Sequence, residues 1–134
     1  NVDNITGFPI GTEGTEYTAL LDKVFLVGDA AGLSESLLGE GIYNAIVSGK
    51  YAAKSIIKNE QEDGFSAKYF YNTFLEKLTS ELRLYKKGSK LLYGYPKISY
   101  FLIKLGLGKK FMDGYSEGKT ITEILKKKKL LPNY

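Results

Sequence analysis

The 134 residues contain no cysteine and no histidine. Without thiols there is no disulfide framework, no thiolate metal site and no dithiol redox pair, and without imidazole the usual ligand and base of zinc and triad chemistry are missing too. Redox chemistry in such a chain has to come from a bound cofactor. A long hydrophobic run is also lacking. The most apolar stretch, residues 91–107, is interrupted by Gly94, Pro96, Lys97 and Lys104, and is too short and too charged to span a bilayer unaided. Nothing near Asn1 has the basic, apolar and small-residue zones of a signal peptide, so a cytoplasmic protein is expected. With Asn1 rather than Met in first place, the chain reads as internal sequence of something longer.

What is present is an ordinary globular composition, 43% hydrophobic and 25% charged, in a length suited to one modest domain. The net charge of +4 hides an asymmetry. Residues 1–63 carry four lysines against ten acidic residues, whereas residues 64–134 carry fifteen basic against five acidic. The second half is therefore a candidate surface for an anionic partner. Nucleic acid is not the expected one, because no recognised motif accompanies the basic residues and the first half is acidic.

Along the chain, residues 1–20 are rich in Gly and Thr and read as an extended loop, with a short strand around Phe8 to Ile10. The continuous apolar run Val24-Phe25-Leu26-Val27, ended by Gly28, has strand length and no alternation, as in a strand buried on both faces of a sheet. From Glu40 the period changes. Ile42, Ala45, Ile46, Gly49, Ala52, Ala53, Ile56 and Ile57 recur at helical spacing, opposite Lys50, Lys54 and Lys58. A polar break at 59–64 precedes a second amphipathic helix, marked by Tyr69, Phe70, Phe74, Leu78, Leu82 and Tyr85 and ended by Lys86-Lys87-Gly88. A third begins near Pro96, with Ile98, Phe101, Leu102 and Leu105 on one stripe, and stops at Gly106 or Gly108. Residues 109–114 form a short helical turn, and Thr120 with Glu123 has the spacing of a capping box before a last short helix.

Chemistry is concentrated between residues 24 and 42. A dinucleotide flavin needs a fixed acceptor for its ribityl hydroxyls, donors for its pyrophosphate and positive potential near the ring when it is reduced. Gly28 at a strand end lets backbone approach a ligand, and Asp29 then offers an acceptor-only carboxylate. Ten residues on, Gly39-Glu40-Gly41 leads into a helix whose first amides and dipole face a ligand without side-chain obstruction. The cofactor-binding residues are thus Gly28, Asp29, Gly39, Gly41 and Ile42. No catalytic residue and no metal ligand is assigned.

The run Val24 to Gly32, with Gly39-Glu40-Gly41-Ile42, Ala45, Ser48-Gly49 and Ala52-Ala53, closely resembles the second FAD-binding motif of the geranylgeranyl reductase family, flavoproteins with a hydroxybenzoate-hydroxylase-like fold. The resemblance covers residues 24–57. It implies an enzyme that reduces isoprenoid double bonds of lipids with hydride from reduced FAD. It also implies that the residue matching Asp29 binds the ribityl chain and that the amides at Gly41 and Ile42 approach the isoalloxazine. Ser36 stands where the family carries a proline. The family's glycine-rich first motif is not in these residues, so the adenosine and pyrophosphate are expected to be held by an N-terminal FAD-binding portion beyond this segment. The segment alone is expected to be inactive.

The fold expected is mostly α with a short β element: the C-terminal fragment of an α/β, Rossmann-like FAD-binding oxidoreductase followed by a helical tail. Residues 1–58 would be the last part of the FAD-binding domain and 59–134 the helical region. A flavin monooxygenase or halogenase-like enzyme, or a non-enzymatic helical interaction module, are the alternatives. Ser34, Glu35 and Ser36 lack a histidine partner and read as a flexible loop near the ring. Glu40 suits the helix dipole. The tyrosines and phenylalanines of the second half read as core rather than as a prenyl channel. Lys126 to Lys129 suit a helix C-terminus, and contact with anionic lipid headgroups at a membrane surface is the other use for them.

Overall fold

A computed structural model describes residues 7, 9–12 and 23–126. A 3-10 turn, Gly28–Ala31, precedes five α-helices among the described residues: α1 Ile42–Gln61, α2 Ala67–Gly94, α3 Pro96–Lys104, α4 Leu107–Ser116 and α5 Ile121–Lys126. Helix α2 is the spine. α1 lies along its first half, α3 and α4 follow from its end, and α5 returns onto it.

No β-strand forms among the described residues. Val24 makes an isolated bridge, Val27 is extended (φ −132°, ψ 157°), and both stand partly in solvent rather than in a two-sided sheet. A strand is stable only beside another, and no other is present among these residues. The segment is anchored by side chains instead. Phe25 meets Tyr71 edge to face at 5.1 Å, and the Tyr71 hydroxyl donates to the Leu26 carbonyl at 2.5 Å. Of the strand expected at Phe8 to Ile10, Phe8 lies outside the described residues, as do residues 13–22 and 127–134.

Two core clusters hold the helices together. Ala31, Leu33, Tyr71, Leu75, Leu78 and Leu82 form the first, and Leu37, Tyr85 and Ile121 the second. Of the stripe expected on α2, Phe70, Leu78, Leu82 and Tyr85 are buried and Phe74 is partly so, and the buried face is wider than the stripe. Tyr71 and Leu75 point inward, while Tyr69 is half exposed and stacks on Phe65 at 4.6 Å. Periodicity alone does not choose between adjacent stripes when apolar residues fill both.

Helix α2 also runs past the expected stop at Gly88. A mid-helix glycine costs only ~1 kcal/mol. Here the helix passes beside Leu37, whose methyl carbons lie 3.7 and 3.9 Å from the position a Cβ would take, an ordinary packing distance. The Tyr93 hydroxyl adds a bond to the Leu37 carbonyl at 2.7 Å. The helix ends at Tyr95, which the following Pro96 excludes from helical backbone. The capping box at the start of α5 forms as expected: the Thr120 amide donates to Glu123 at 2.9 Å and the Glu123 amide to the Thr120 hydroxyl at 3.3 Å.

Burial pushes the Tyr71 phenol up from 10.0 to about 12, and burial raises Tyr85 as well. A neutral phenol held in the fold stabilises it below the unfolded value near 10, and that contribution is lost as pH rises from there through about 12. Alkaline titration should therefore melt the helices over that window, with tyrosinate absorbance at Tyr71 appearing together with the loss of helical ellipticity. Release of every tyrosine near pH 10 with the helices intact would contradict its burial.

Candidate functional site

The loop from 28 to 41 is held by polar side chains on α1. The Gly28 amide donates to Ser48 Oγ at 2.9 Å, and Ser48 is wholly buried. The hydroxyl passes its own proton to the Asn44 carbonyl at 2.7 Å, while Asn44 Nδ2 donates to the Leu33 carbonyl at 2.8 Å. The inward face of α1 is thus Asn44, Ser48 and Ser55, not the isoleucine stripe. Ile42, Ile46, Ile56 and Ile57 face outward. This overturns the expected orientation for a reason of geometry: small polar residues four apart reach the loop and permit close approach to α2, which isoleucine would obstruct.

Gly28 has φ +54°, and a Cβ there would lie 2.9 Å from the Ala45 Cβ. Its place against α1 requires glycine twice over. The Asp29 side chain reaches the start of the helix. A Cβ on Gly41 would fall 2.9 Å from Asp29 Oδ1 and 3.2 Å from Ser34 Oγ, and the Ser34 hydroxyl donates to that same Asp29 oxygen. Asp29 is exposed, so its carboxylate stays open to an outside donor. The structure therefore brings Asp29, Gly41 and Ile42 to one spot.

Gly39 stands apart in role. Its amide donates to the Glu35 carbonyl at 3.1 Å, while the Glu35 amide donates to the Glu40 carbonyl at 2.8 Å, so Gly39 shapes a turn and has no N–H to offer. Ser34 and Glu35, expected in a flexible loop, are buried. The Glu35 carboxylate accepts from the amides of Leu37 and Leu38 and locks the turn. Ser36 Oγ is buried with no hydrogen-bond partner among the described residues, so the hydroxyl adds no bond that a proline would lose.

At the start of α1, no side chain caps the first turn and no acidic residue lies in it. The first amides there have no side-chain acceptor, and the Asp29 carboxylate lies beside them at the positive end of the helix dipole. Glu40, just before the turn, is instead tied across the fold by the Tyr115 hydroxyl at 3.0 Å, and burial together with that bond raises the Tyr115 phenol. Glu40, Tyr43, Glu81, Tyr85 and Tyr115 line a cavity of about 320 Å³ beside the loop. Asn44 and Tyr115 are not singled out from the sequence, while Ser48 enters there only within the resemblance and Ser34 only as part of a flexible loop. The spacing of Asn44 and Ser48 on a helix was the available signal, whereas Tyr115 is 75 residues from its partner and gave none.

No protein-family model matches the chain, and no solved structure does. The chain is 32% identical over 101 residues, 75% of its own length, to an uncharacterized protein of Methanosarcina barkeri, of which this covers 26%. It is 33% identical over 92 residues, 66% of its own length, to digeranylgeranylglycerophospholipid reductase 2 of Methanosphaera stadtmanae, of which this covers 23%. The chain thus spans about a quarter of the length of these curated relatives. The likeness to the reductase is distant and partial.

Proposed function

We propose that this chain is the C-terminal part of an FAD-dependent oxidoreductase of the geranylgeranyl reductase type, which reduces isoprenoid double bonds of lipids. The observation that carries the reading is the meeting of the Asp29 carboxylate with the uncapped start of α1, at two glycines where a Cβ has no room. An open acceptor beside unspent amides fits the ribityl and ring edge of a flavin. The partial likeness to an archaeal lipid reductase supports the substrate class.

When bound, FAD supplies the hydride from its reduced ring. Asp29 accepts from the ribityl hydroxyls, and the amides of Gly41 and Ile42 face the isoalloxazine, where the helix dipole stabilises negative charge by ~1 kcal/mol. Gly28 sets the approach of the backbone, and Gly39 sets the turn. Residues 1–58 belong to the FAD-binding domain of a Rossmann-like α/β fold, residues 59–134 to a helical region, and an N-terminal portion holds the adenosine and pyrophosphate. The outward isoleucine face of α1 is where the rest of that domain packs. The enzyme is cytoplasmic and meets its lipid at the membrane surface.

The test uses the full-length protein that contains this segment. Purified protein should show flavin absorption, and Asp29→Ala should weaken flavin binding about 10- to 100-fold, the loss of hydrogen bonds to a charged acceptor, with helical ellipticity unchanged. Absence of flavin bands after reconstitution would overturn the cofactor, and product formed only with oxygen would overturn the reductase.

A further inference from the structure

From Leu82 to Met112 the sequence holds no aspartate or glutamate but eight lysines and arginines. In the fold this acid-free stretch is the second half of α2, all of α3 and the start of α4. Lys87, Lys90, Lys97, Lys104, Lys109 and Lys110 are exposed there, and none of the six forms an ion pair among the described residues. The apolar residues of the stretch do not retire into the core either. The stripe expected to bury α3 stands in solvent, with Phe101 59% and Leu105 63% exposed, and only Ser99 and Leu102 turn inward.

The same three helices, with Leu37 and Leu38 of the loop, line an apolar groove of about 510 Å³. Leu91, Ile103, Leu107 and Met112 line it and are each about half exposed, so its mouth is continuous with the apolar surface. Its one hydroxyl is spent inward: Ser99 Oγ donates to the Leu92 carbonyl at 2.9 Å. Lys109 stands among the lining residues. Phe101 and Lys104, three apart on α3, share one face of the helix.

We infer that the face built by α3, α4 and the end of α2 docks onto an anionic lipid bilayer, with its lysines on the headgroups and its groove open to a hydrocarbon chain. Two separate features require this chemistry. Lys87, Lys90, Lys97 and Lys104 call for a polyanion, whereas Lys109 and Lys110 share a depression with Asp113 and Glu117, and exposed Phe101, Leu105 and Ile103 beside an apolar groove call for hydrocarbon at the same place. A nucleic acid meets the first requirement only. Tyr95 and Tyr100, exposed on this face, have the apolar body and polar tip suited to the headgroup level. No helix among the described residues is long and apolar enough to cross a membrane, so attachment is from the side. The inference deepens the lipid side of the proposed function and shares only Leu37 and Leu38, at the groove wall, with residues 24–42, so vesicle binding and flavin binding can fail separately.

The full-length protein that contains this segment should sediment with vesicles of phosphatidylglycerol and phosphatidylcholine in equal parts, and far less with phosphatidylcholine alone. Replacing Lys104 and Lys109 together by Gln should lower the partition coefficient about 30-fold, at the customary contribution per lysine near an anionic surface. A Phe101→Trp variant should shift its emission to the blue on the mixed vesicles and be quenched by brominated acyl chains. Equal binding to both kinds of vesicle, an unchanged partition in the double variant, or unshifted emission in a sedimenting Phe101→Trp protein would overturn the docking face. So would binding to poly(U) with none to vesicles.

Discussion

Gly28→Ala is expected to cost the fold about 2–5 kcal/mol, from a left-handed backbone that a Cβ disfavours by about 1–2 and from overpacking that adds about 1–3. The position has φ +54°, and the new methyl would lie 2.9 Å from the Ala45 Cβ and 3.2 Å from its Cα, with helix backbone behind it that has no freedom to retreat. Any shift of the loop also stretches the bond from the Gly28 amide to Ser48. Gly39→Ala is the internal control. Its φ of +76° carries the same backbone penalty, but nothing lies within 4 Å of the added methyl, so the loss should be about 1–2 kcal/mol. Urea unfolding followed by circular dichroism measures both. Equal losses would show that Gly28 is chosen for its backbone alone and not for its contact with α1.

Tyr71→Ala is expected to cost about 3–5 kcal/mol, the range for removing a large ring from a core that does not collapse around the void. Tyr71 is fully buried, joins Ala31 and Leu33 of the loop to Leu75, Leu78 and Leu82 of α2, and takes the edge of Phe25. Tyr71→Phe keeps the ring and gives up the bond to the Leu26 carbonyl, with an expected loss of about 1 kcal/mol. The pair separates packing from hydrogen bonding. In alkaline titration Tyr71→Phe should also lose the part of the melting that comes from the phenol raised to about 12. A Phe variant as damaged as the Ala variant would mean that the hydroxyl, not the ring, fixes the 24–27 segment to α2.

The parts of the site that were legible in the sequence share one property: they are local. Glycine at 28 and 41, Asp29 between a run of apolar residues and a helix start, Pro96 at the first position of α3 and the Thr120–Glu123 cap each act within a few residues, where backbone sterics and short-range hydrogen bonds decide. The errors share the opposite property. The isoleucines of α1 and the stripe of α3 have the periodicity of buried faces and stand in solvent, because burial depends on which surface meets which. Asn44 carries no such pattern and Ser48 enters only within the resemblance, yet these two side chains carry the hydrogen bonds that place the loop.

By itself, then, the sequence determined the helical elements, most of their ends, the glycine positions that admit a close backbone approach, and the absence of thiol and imidazole chemistry. Only the tertiary structure decided that Asp29 reaches the start of α1, that Glu40 is tied to Tyr115, that α2 continues through Gly88, and that an acid-free basic face surrounds an apolar groove. The physical reason is one of range. Dihedral preferences and capping are properties of neighbouring residues, whereas the burial of a face and the pairing of side chains 75 positions apart are settled when the helices compete for the same core.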